Sequence, residues 1–533
     1  MRSRAVALLG ALATAAGLLS AGPSAAGAAD ARGASAPKAR PTLKWTDCAT
    51  KKYPTLQCAS LRVPLDHDRP EGRQITLALT RVPHTDRARH QGPLLVNPGG
   101  PGGSGRGLAG FVADALPRKV AAQYDVIGFD PRGVGESRPA VDCRPGHFDP
   151  VRPDPVPIGK GVEEANLDRV RAFARACDKK YGPLLKHLDT VSAAKDMDLI
   201  RKALGARRIN YLGYSYGTYL GAVYAKLHPG RVRRAVLDSV VDPTGVWYRD
   251  NLDQNLAFDA RHKAFAAWIA RHDKTYGLGT DPAVVEGKWY AMRAAVAERP
   301  AGGKVGAGEL EDTFLPGGYF NGYWPKLAEA FAAYVNENRT APLVAAYKTF
   351  GAVDKAGDNG YAVYAAVGCR DAPWPRSWNT WRADTWRSYA KAPFMSWSNA
   401  WYNAPCAFWP TAHLTPPDVT NADLPPVLLF QATDDAATPY EGAVTLHRKL
   451  RRSSLVVEAG GGNHGVTLSG NACLDRHLAD YLASGKVPRG RGPTTADATC
   501  DALPEPQPEP AAAKRTSDSR KGATLHGLIG RHR

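Results

Sequence analysis

With 533 residues, 44% of them hydrophobic and 9% aromatic, the chain has ample material for a sizeable buried core and reads as a globular protein. Lys and Arg outnumber Asp and Glu by 69 to 51, a formal charge of +18. The basic residues are dispersed rather than clustered with aromatics, which argues against a nucleic-acid partner and for a basic, solvated surface able to associate weakly with an anionic cell envelope.

In chain order, residues 1–28 read as a cleavable secretory signal peptide: two arginines, an Ala/Gly-diluted apolar run from Ala5 to Ala21, and an A-x-A site at Ala26 to Ala28. Residues 29–40, small and polar, read as a leader or propeptide-like segment, and no later run is long and apolar enough to span a bilayer. Export suits the eight cysteines, Cys48, Cys58, Cys143, Cys177, Cys369, Cys406, Cys473 and Cys500, because an even count in an oxidising compartment implies disulfides. The sequence leaves the connectivity open; pairing of near neighbours is the default expectation. No spacing among them suits a zinc site.

Residues 41–243 carry the strand-like runs ITLALTRV, PLLVNPGG, YDVIGFDPRG, INYLGYS and RRAVLDSVVDP, separated by helical patterns, and residues 425–510 carry PVLLFQATDD and SSLVVEAGGGNHG. Apolar runs alternating with helices predict an α/β fold with a parallel sheet. Between them, residues 244–424 hold 11 of the 12 tryptophans and amphipathic stretches such as AFDARHKAFAAWIARH, and are expected to form a mostly helical cap whose aromatics pack that subdomain. Residues 511–533, basic and poor in apolar side chains, are expected to be a disordered tail without an assigned role.

The chemistry is concentrated in loops after these strands. In NYLGYSYGTYLG, Ser215 lies between Gly213 and Gly217 on a strand-to-helix turn, where the helix N-terminus favours developing negative charge. A serine hydroxyl needs a base, and the base an orienting carboxylate. His464 follows one late strand in GGGNHG, and Asp435, beside Asp434, follows another in QATDDAATP. Asp435 is the favoured partner, with Asp434, Asp238 and Asp242 as alternatives. The glycine loop NPGGPGGSG, Asn97 to Gly105, lacks the endings of phosphate and dinucleotide loops, and offers the Gly100 amide, with that of Tyr216, as an oxyanion hole. Arg132 and Glu136 in FDPRGVGESRP read as structural. Neither a cofactor nor a metal is expected.

NPGGPGGSG, FDPRGVGESRP, GYSYGTYLGAVYAKLHPGRV, DAATP and GNHG, in this order and with a long insertion before the last two, resemble the secreted tripeptidyl aminopeptidase family of actinobacteria. The similarity runs from about Trp45 to Pro510. It implies an α/β-hydrolase fold with a helical cap and a serine exopeptidase that releases tripeptides from free N-termini, with Ser215, Asp435 and His464 as the triad and Gly100 as the oxyanion glycine. Pro98 stands where the related proline iminopeptidases have histidine, which favours the tripeptidyl or esterase side. A carboxylesterase with the same triad and a catalytically silent binding protein are the competing readings. An exopeptidase also needs an anion for the substrate ammonium, and Glu311, Asp312 and Asp371 in the insertion are the expected candidates.

Overall fold

The computed structural model describes residues 43–489, 495–508 and 517–530; the signal-peptide and leader expectations at 1–40 lie outside them. Ten strands are described: β1 (Thr46–Asp47), β2 (Gln57–Pro64), β3 (Gln74–Val82), β4 (Gly92–Asn97), β5 (Tyr124–Phe129), β6 (Ile209–Tyr214), β7 (Val232–Asp238), β8 (Val427–Ala432), β9 (Ser453–Ala459) and β10 (Ala498–Asp501). They form one sheet in the order β1-β2-β3-β5-β4-β6-β7-β8-β9-β10. The pairs β1–β2, β2–β3 and β3–β5 are antiparallel, and all others from β5 to β10 are parallel. Every residue of β6 and of β8 is buried, which explains their largely apolar sequence, since a parallel strand covered on both faces has no polar side; the polar exceptions, Asn210 and Gln431, are hydrogen-bonded to backbone. β3 to β9 match the seven strand-like runs of the sequence. β1, β2 and β10 are additions at the two edges.

Helices Val162–Leu185, Thr190–Ala203 and Tyr216–Leu227 cover one face, with Phe173, Met197, Leu220 and Val223 in its core. Helices Arg106–Ala115 and Ala472–Ser484 cover the other, around Phe111, Leu474 and Leu478. Between β7 and β8 the described backbone is a series of helices from Tyr248 to Asn403. These have a core of their own, in which Trp268, Trp289 and Trp324 pack with Phe265, Phe314 and Phe331. Large aromatics each bury roughly 150–250 Å²; three of the tryptophans build this core, while Trp247, Trp374, Trp381 and Trp409 pack into the main core and Trp397 and Trp401 pack against helix Val162–Leu185.

The eight cysteines form four disulfides between near neighbours, Cys48–Cys58, Cys143–Cys177, Cys369–Cys406 and Cys473–Cys500. One tether joins β1 to β2. Another holds β10 against helix Ala472–Ser484.

The expectation of disorder at 511–533 needs correction. Residues Ser517–Ile529 are helical. Leu525 is fully buried, and Ile529 and His526 are 4% and 3% exposed, with Leu525 and Ile529 joining the core around Val466 and Leu468. Leu525 and Ile529 are four residues apart and so share a helix face, while Arg520 and Lys521 face solvent. A helix of this length draws its stability from docking one face rather than from its mean composition.

Candidate active site

The sheet brings the chemistry-bearing loops together because β4, β6, β7, β8 and β9 are adjacent and parallel. Their carboxyl ends therefore open at one edge, where open α/β sheets bind ligands. β6 ends at Tyr214, and Ser215 follows with φ 57° and ψ −129°, a conformation that costs a non-glycine residue about 1–3 kcal/mol. Three hydrogen bonds hold it there: Ser215 N–H donates to the Asp238 carbonyl at 3.0 Å, and its own carbonyl accepts from Thr218 N–H at 2.8 Å and Thr218 Oγ1 at 2.6 Å.

The flanking glycines answer a steric demand. A Cβ on Gly213 would lie 2.5 Å from the Gly217 carbonyl oxygen, and one on Gly217 would lie 2.8 Å from Asn97 Oδ1. The turn is thus compressed against the end of β4. The glycine loop that follows β4 lies directly on it: a Cβ on Gly99, whose φ is +99°, would come within 2.8 Å of Ser215 Cβ and 3.1 Å of the Tyr216 nitrogen. As the first residue of its helix, Tyr216 has no intrahelical acceptor for its N–H.

After β8, Asp435 is 2% exposed whereas the adjacent Asp434 is exposed. Asp435 Oδ1 accepts from Ala437 N–H at 2.9 Å and Thr438 N–H at 3.1 Å, and Oδ2 from Thr438 Oγ1 at 3.0 Å. Both oxygens face His464 Nδ1, at 3.0 and 2.9 Å. His464 itself is 1% exposed, its N–H is anchored on the Tyr319 carbonyl at 2.8 Å, and the Tyr319 ring meets the imidazole edge-on. With Nδ1–H donating to the carboxylate, Nε2 carries the lone pair. Nε2 is buried and has no hydrogen-bond partner among the described residues.

Asp238, an alternative carboxylate from the sequence, takes a different place. Its Oδ1 and Oδ2 accept from Val466 N–H at 3.0 Å and Thr467 N–H at 2.8 Å, while its backbone carbonyl holds Ser215. It therefore ties the serine turn to the histidine loop without occupying the imidazole. Burial pushes its carboxyl up to about 6. Asp242 is engaged by Thr244, whose N–H and Oγ1 donate to Oδ1 at 2.8 and 2.7 Å. Arg132 is a buried strut, bidentate to Asp196 at 2.7 Å through both Nε and Nη2, as the sequence reading expects.

Ser215 and Gly100 line two cavities. One, of about 610 Å³, is walled by Tyr319, Tyr323 and Asn399 of the cap and by His526 and Ile529 of the C-terminal helix. The other, of about 300 Å³, also takes in Tyr216, Trp247 and Asp250.

The three acids expected to receive a substrate ammonium are placed otherwise. Glu311 is 3% exposed and bonded to Arg293 at 2.6 Å and to Ser398 Oγ. Asp371 is buried and accepts from Thr190 N–H at 2.7 Å, Thr190 Oγ1 at 2.6 Å and Trp247 Nε1 at 3.3 Å, its carboxyl pushed up to about 7 by burial. Neither lines either cavity. Asp312 does line the larger one, but its carboxylate is paired with Arg152 at 2.5 Å. Sequence reasoning placed these acids beside aromatics and prolines, and could not see the arginines that fold onto two of them. Asp250, which no motif marks, lines the smaller cavity.

A mostly parallel sheet with a strained serine turn, a glycine loop packed on it and an imidazole clamped by a buried carboxylate defines an α/β hydrolase. Residues 92–305 match the alpha/beta hydrolase fold family, and residues 392–500 match the family described as TAP-like protein. Across 90% of its length the chain is 43% identical to tripeptidyl aminopeptidase of Streptomyces lividans, covering 91% of that protein. It is 34% identical over 85% of its length to serine protease Hip1 of Mycobacterium tuberculosis (91% of that chain), and 33% identical over 89% to carboxylesterase B of the same organism (94% of that chain). The chain belongs to the tripeptidyl aminopeptidase family of α/β hydrolases and is a serine hydrolase.

Proposed function

We propose that this protein is a secreted serine exopeptidase that releases tripeptides from the free N-termini of peptides, with Ser215 as nucleophile, His464 as base, Asp435 as the orienting acid and the Gly100 and Tyr216 amides as oxyanion donors. The observation that carries the reading is the His464 environment: Nδ1 committed to a buried carboxylate and Nε2 buried without a partner, on a loop tied through Asp238 to the serine turn. In acylation, Nε2 takes the Ser215 hydroxyl proton as Oγ adds to the scissile carbonyl, and the oxyanion settles on the two amides. His464 then gives that proton to the departing amine, leaving an ester on Ser215. A water molecule, deprotonated by the same nitrogen, hydrolyses the ester and restores both groups.

Tripeptide release is supported by the 43% identity to a tripeptidyl aminopeptidase. Secretion is supported by the N-terminal sequence and by four disulfides, which persist in oxidising compartments. No helix among the described residues is long and apolar enough to cross a membrane. The +18 charge would favour loose retention at an anionic envelope.

The test is a panel of free-amine tripeptide, dipeptide, single-residue and N-acetylated tripeptide anilides beside a short acyl ester, with Ser215→Ala as the control. The free tripeptide anilide should dominate, and Ser215→Ala should lose activity by several orders of magnitude while keeping its melting temperature. Preference for the ester, or for single residues, would replace the reading by a carboxylesterase or an iminopeptidase respectively.

A further inference from the structure

An enzyme that measures from a free N-terminus needs a fixed anion for the substrate ammonium. Asp435 is committed to His464, Glu311 and Asp312 to arginines, and Asp371 to Thr190 and Trp247. The 300 Å³ cavity that opens on Ser215 offers an uncommitted one. It is lined by four acids, Asp242, Asp250, Asp253 and Glu441, against the single cation Arg249.

Three of the four are accounted for without a ligand. Asp242 is held by Thr244, Asp253 faces Arg249 at 3.6 Å with both side chains exposed, and Glu441 is exposed in the first turn of helix Tyr440–Lys449, where an acid serves the helix end. Asp250 differs. Its Oδ2 is shut off from solvent and has no hydrogen-bond partner among the described residues. Its Oδ1 lies where a side chain on Gly245 would have to go, 1.8 Å from an ideal Cβ, so the missing side chain of that glycine is the cradle for the carboxylate.

We propose that Asp250 is the anchor for the α-ammonium group of the substrate, held in the 300 Å³ cavity so that the N-terminal residues run from it to Ser215. The proposal rests on the exopeptidase reading and gives it a residue. A buried carboxylate with an empty lone pair is costly unless it is neutralised by a proton or met by a cation. Burial and the neighbouring Asp242 and Asp253 push the Asp250 carboxyl well above the usual range, opposed by Arg249. Asp250 lines the cavity, and a turn of its side chain toward that space would let an arriving ammonium meet both needs, supplying hydrogen-bond donors to the bare oxygen and a charge that offsets the neighbouring acids. A divalent cation is the poorer fit, since it demands several oxygen ligands at once and Asp242 and Asp253 are engaged elsewhere.

The experiment compares wild type with Asp250→Asn, Asp253→Asn and Glu441→Gln on a free-amine tripeptide anilide, its N-acetylated form and a short acyl ester. Loss of one partner of a desolvated charge pair should lower the ratio of kcat/KM on the tripeptide to that on the ester by about 30-fold or more in Asp250→Asn, and erase most of the preference for free over acetylated substrate. A ratio shift below about threefold, or a larger effect from Asp253→Asn or Glu441→Gln, overturns the assignment of Asp250 alone. Wild-type cleavage of the acetylated substrate as fast as the free one defeats the exopeptidase reading itself, whatever the variants do. Gly245→Ala displaces the carboxylate while keeping its charge, and should reproduce the selective loss should Asp250→Asn fail to fold; an unchanged ratio in folded Gly245→Ala is equally fatal. Calorimetric titration of Ser215→Ala, with and without Asp250→Asn, by a free tripeptide reads binding without turnover.

Discussion

Replacing Asp435 by Asn tests the triad with nearly unchanged shape, and the structure dictates which way the amide must sit. Two backbone donors, the N–H groups of Ala437 and Thr438, point at Oδ1. They require an acceptor there, which places the new NH₂ at the Oδ2 position, 2.9 Å from His464 Nδ1. Nδ1 must then accept rather than donate. The imidazole proton moves to Nε2, and the nitrogen that should take the Ser215 proton is blocked. Such a tautomer switch costs about 10⁴-fold in kcat, roughly 5 kcal/mol at the transition state. Asp434→Asn, on an exposed side chain whose backbone rather than carboxylate meets the His464 loop at Gly461, should stay within a fewfold of wild type. Steady-state kinetics on the free-amine tripeptide anilide, with matched melting temperatures, decides. Asp435→Asn within tenfold of wild type, or Asp434→Asn the more damaged of the two, would refute the assignment.

Two further outcomes follow from the same neighbourhood. Burial, with added repulsion from Asp238 and Asp435, holds the Glu458 carboxyl up to about 7; the folded protein therefore binds a proton there that the unfolded chain has released above about 4.5, and this contribution to stability is lost as pH rises through 7. Glu458→Gln should accordingly gain up to about 3 kcal/mol relative to wild type between pH 4.5 and 8, measured by denaturant unfolding, and a difference independent of pH would contradict it. Truncation after residue 508 removes the helix that walls the larger cavity with His526 and Ile529. It should leave the sheet folded and raise kcat/KM for long peptides more than for a tripeptide anilide; an equal change on both would show that the helix does not restrict the leaving chain.

Much of the site was legible because its constraints are local. GYSYG announces its own geometry: a serine at positive φ between two glycines that have no room for a Cβ. The order of Ser215, Asp435 and His464 after successive strands became a spatial cluster because the sheet is parallel, so that consecutive loops open at the same edge. The choice of Asp435 over Asp434 was legible only weakly. What decides it is burial, since one of two adjacent aspartates turns inward to Ala437, Thr438 and His464 while its neighbour faces solvent. The near-neighbour disulfides were the shortest closures available; two of them tie the edge strands β2 and β10, and Cys369–Cys406 ties two helical segments of the insertion.

What the sequence hid was long-range compensation. Glu311 lies 18 residues from Arg293 and Asp312 lies 160 from Arg152, so nothing in the GELEDTF segment tells that these acids are spent. Asp250 shows the converse: in VWYRDNLDQN it looks like one more solvated helix residue with arginine beside it, and only the folded cavity reveals an oxygen with nothing to bond. The C-terminal helix follows the same logic. Averaged over 511–533 its composition is that of a solvated tail, yet a helix needs only one apolar stripe if the rest of the molecule supplies the complementary groove. That groove is the site itself: His526 stacks on Phe320 at 4.1 Å, and a Cβ on Gly465, next to His464, would strike Ile529 at 2.3 Å. Burial drives the His526 ring down to about 3, so it stands at the site as a neutral imidazole. Composition records how much apolar surface a segment carries, whereas docking depends on where that surface meets its partner, and the partners of the C-terminal helix, Phe320 and Gly465, lie far from it in sequence.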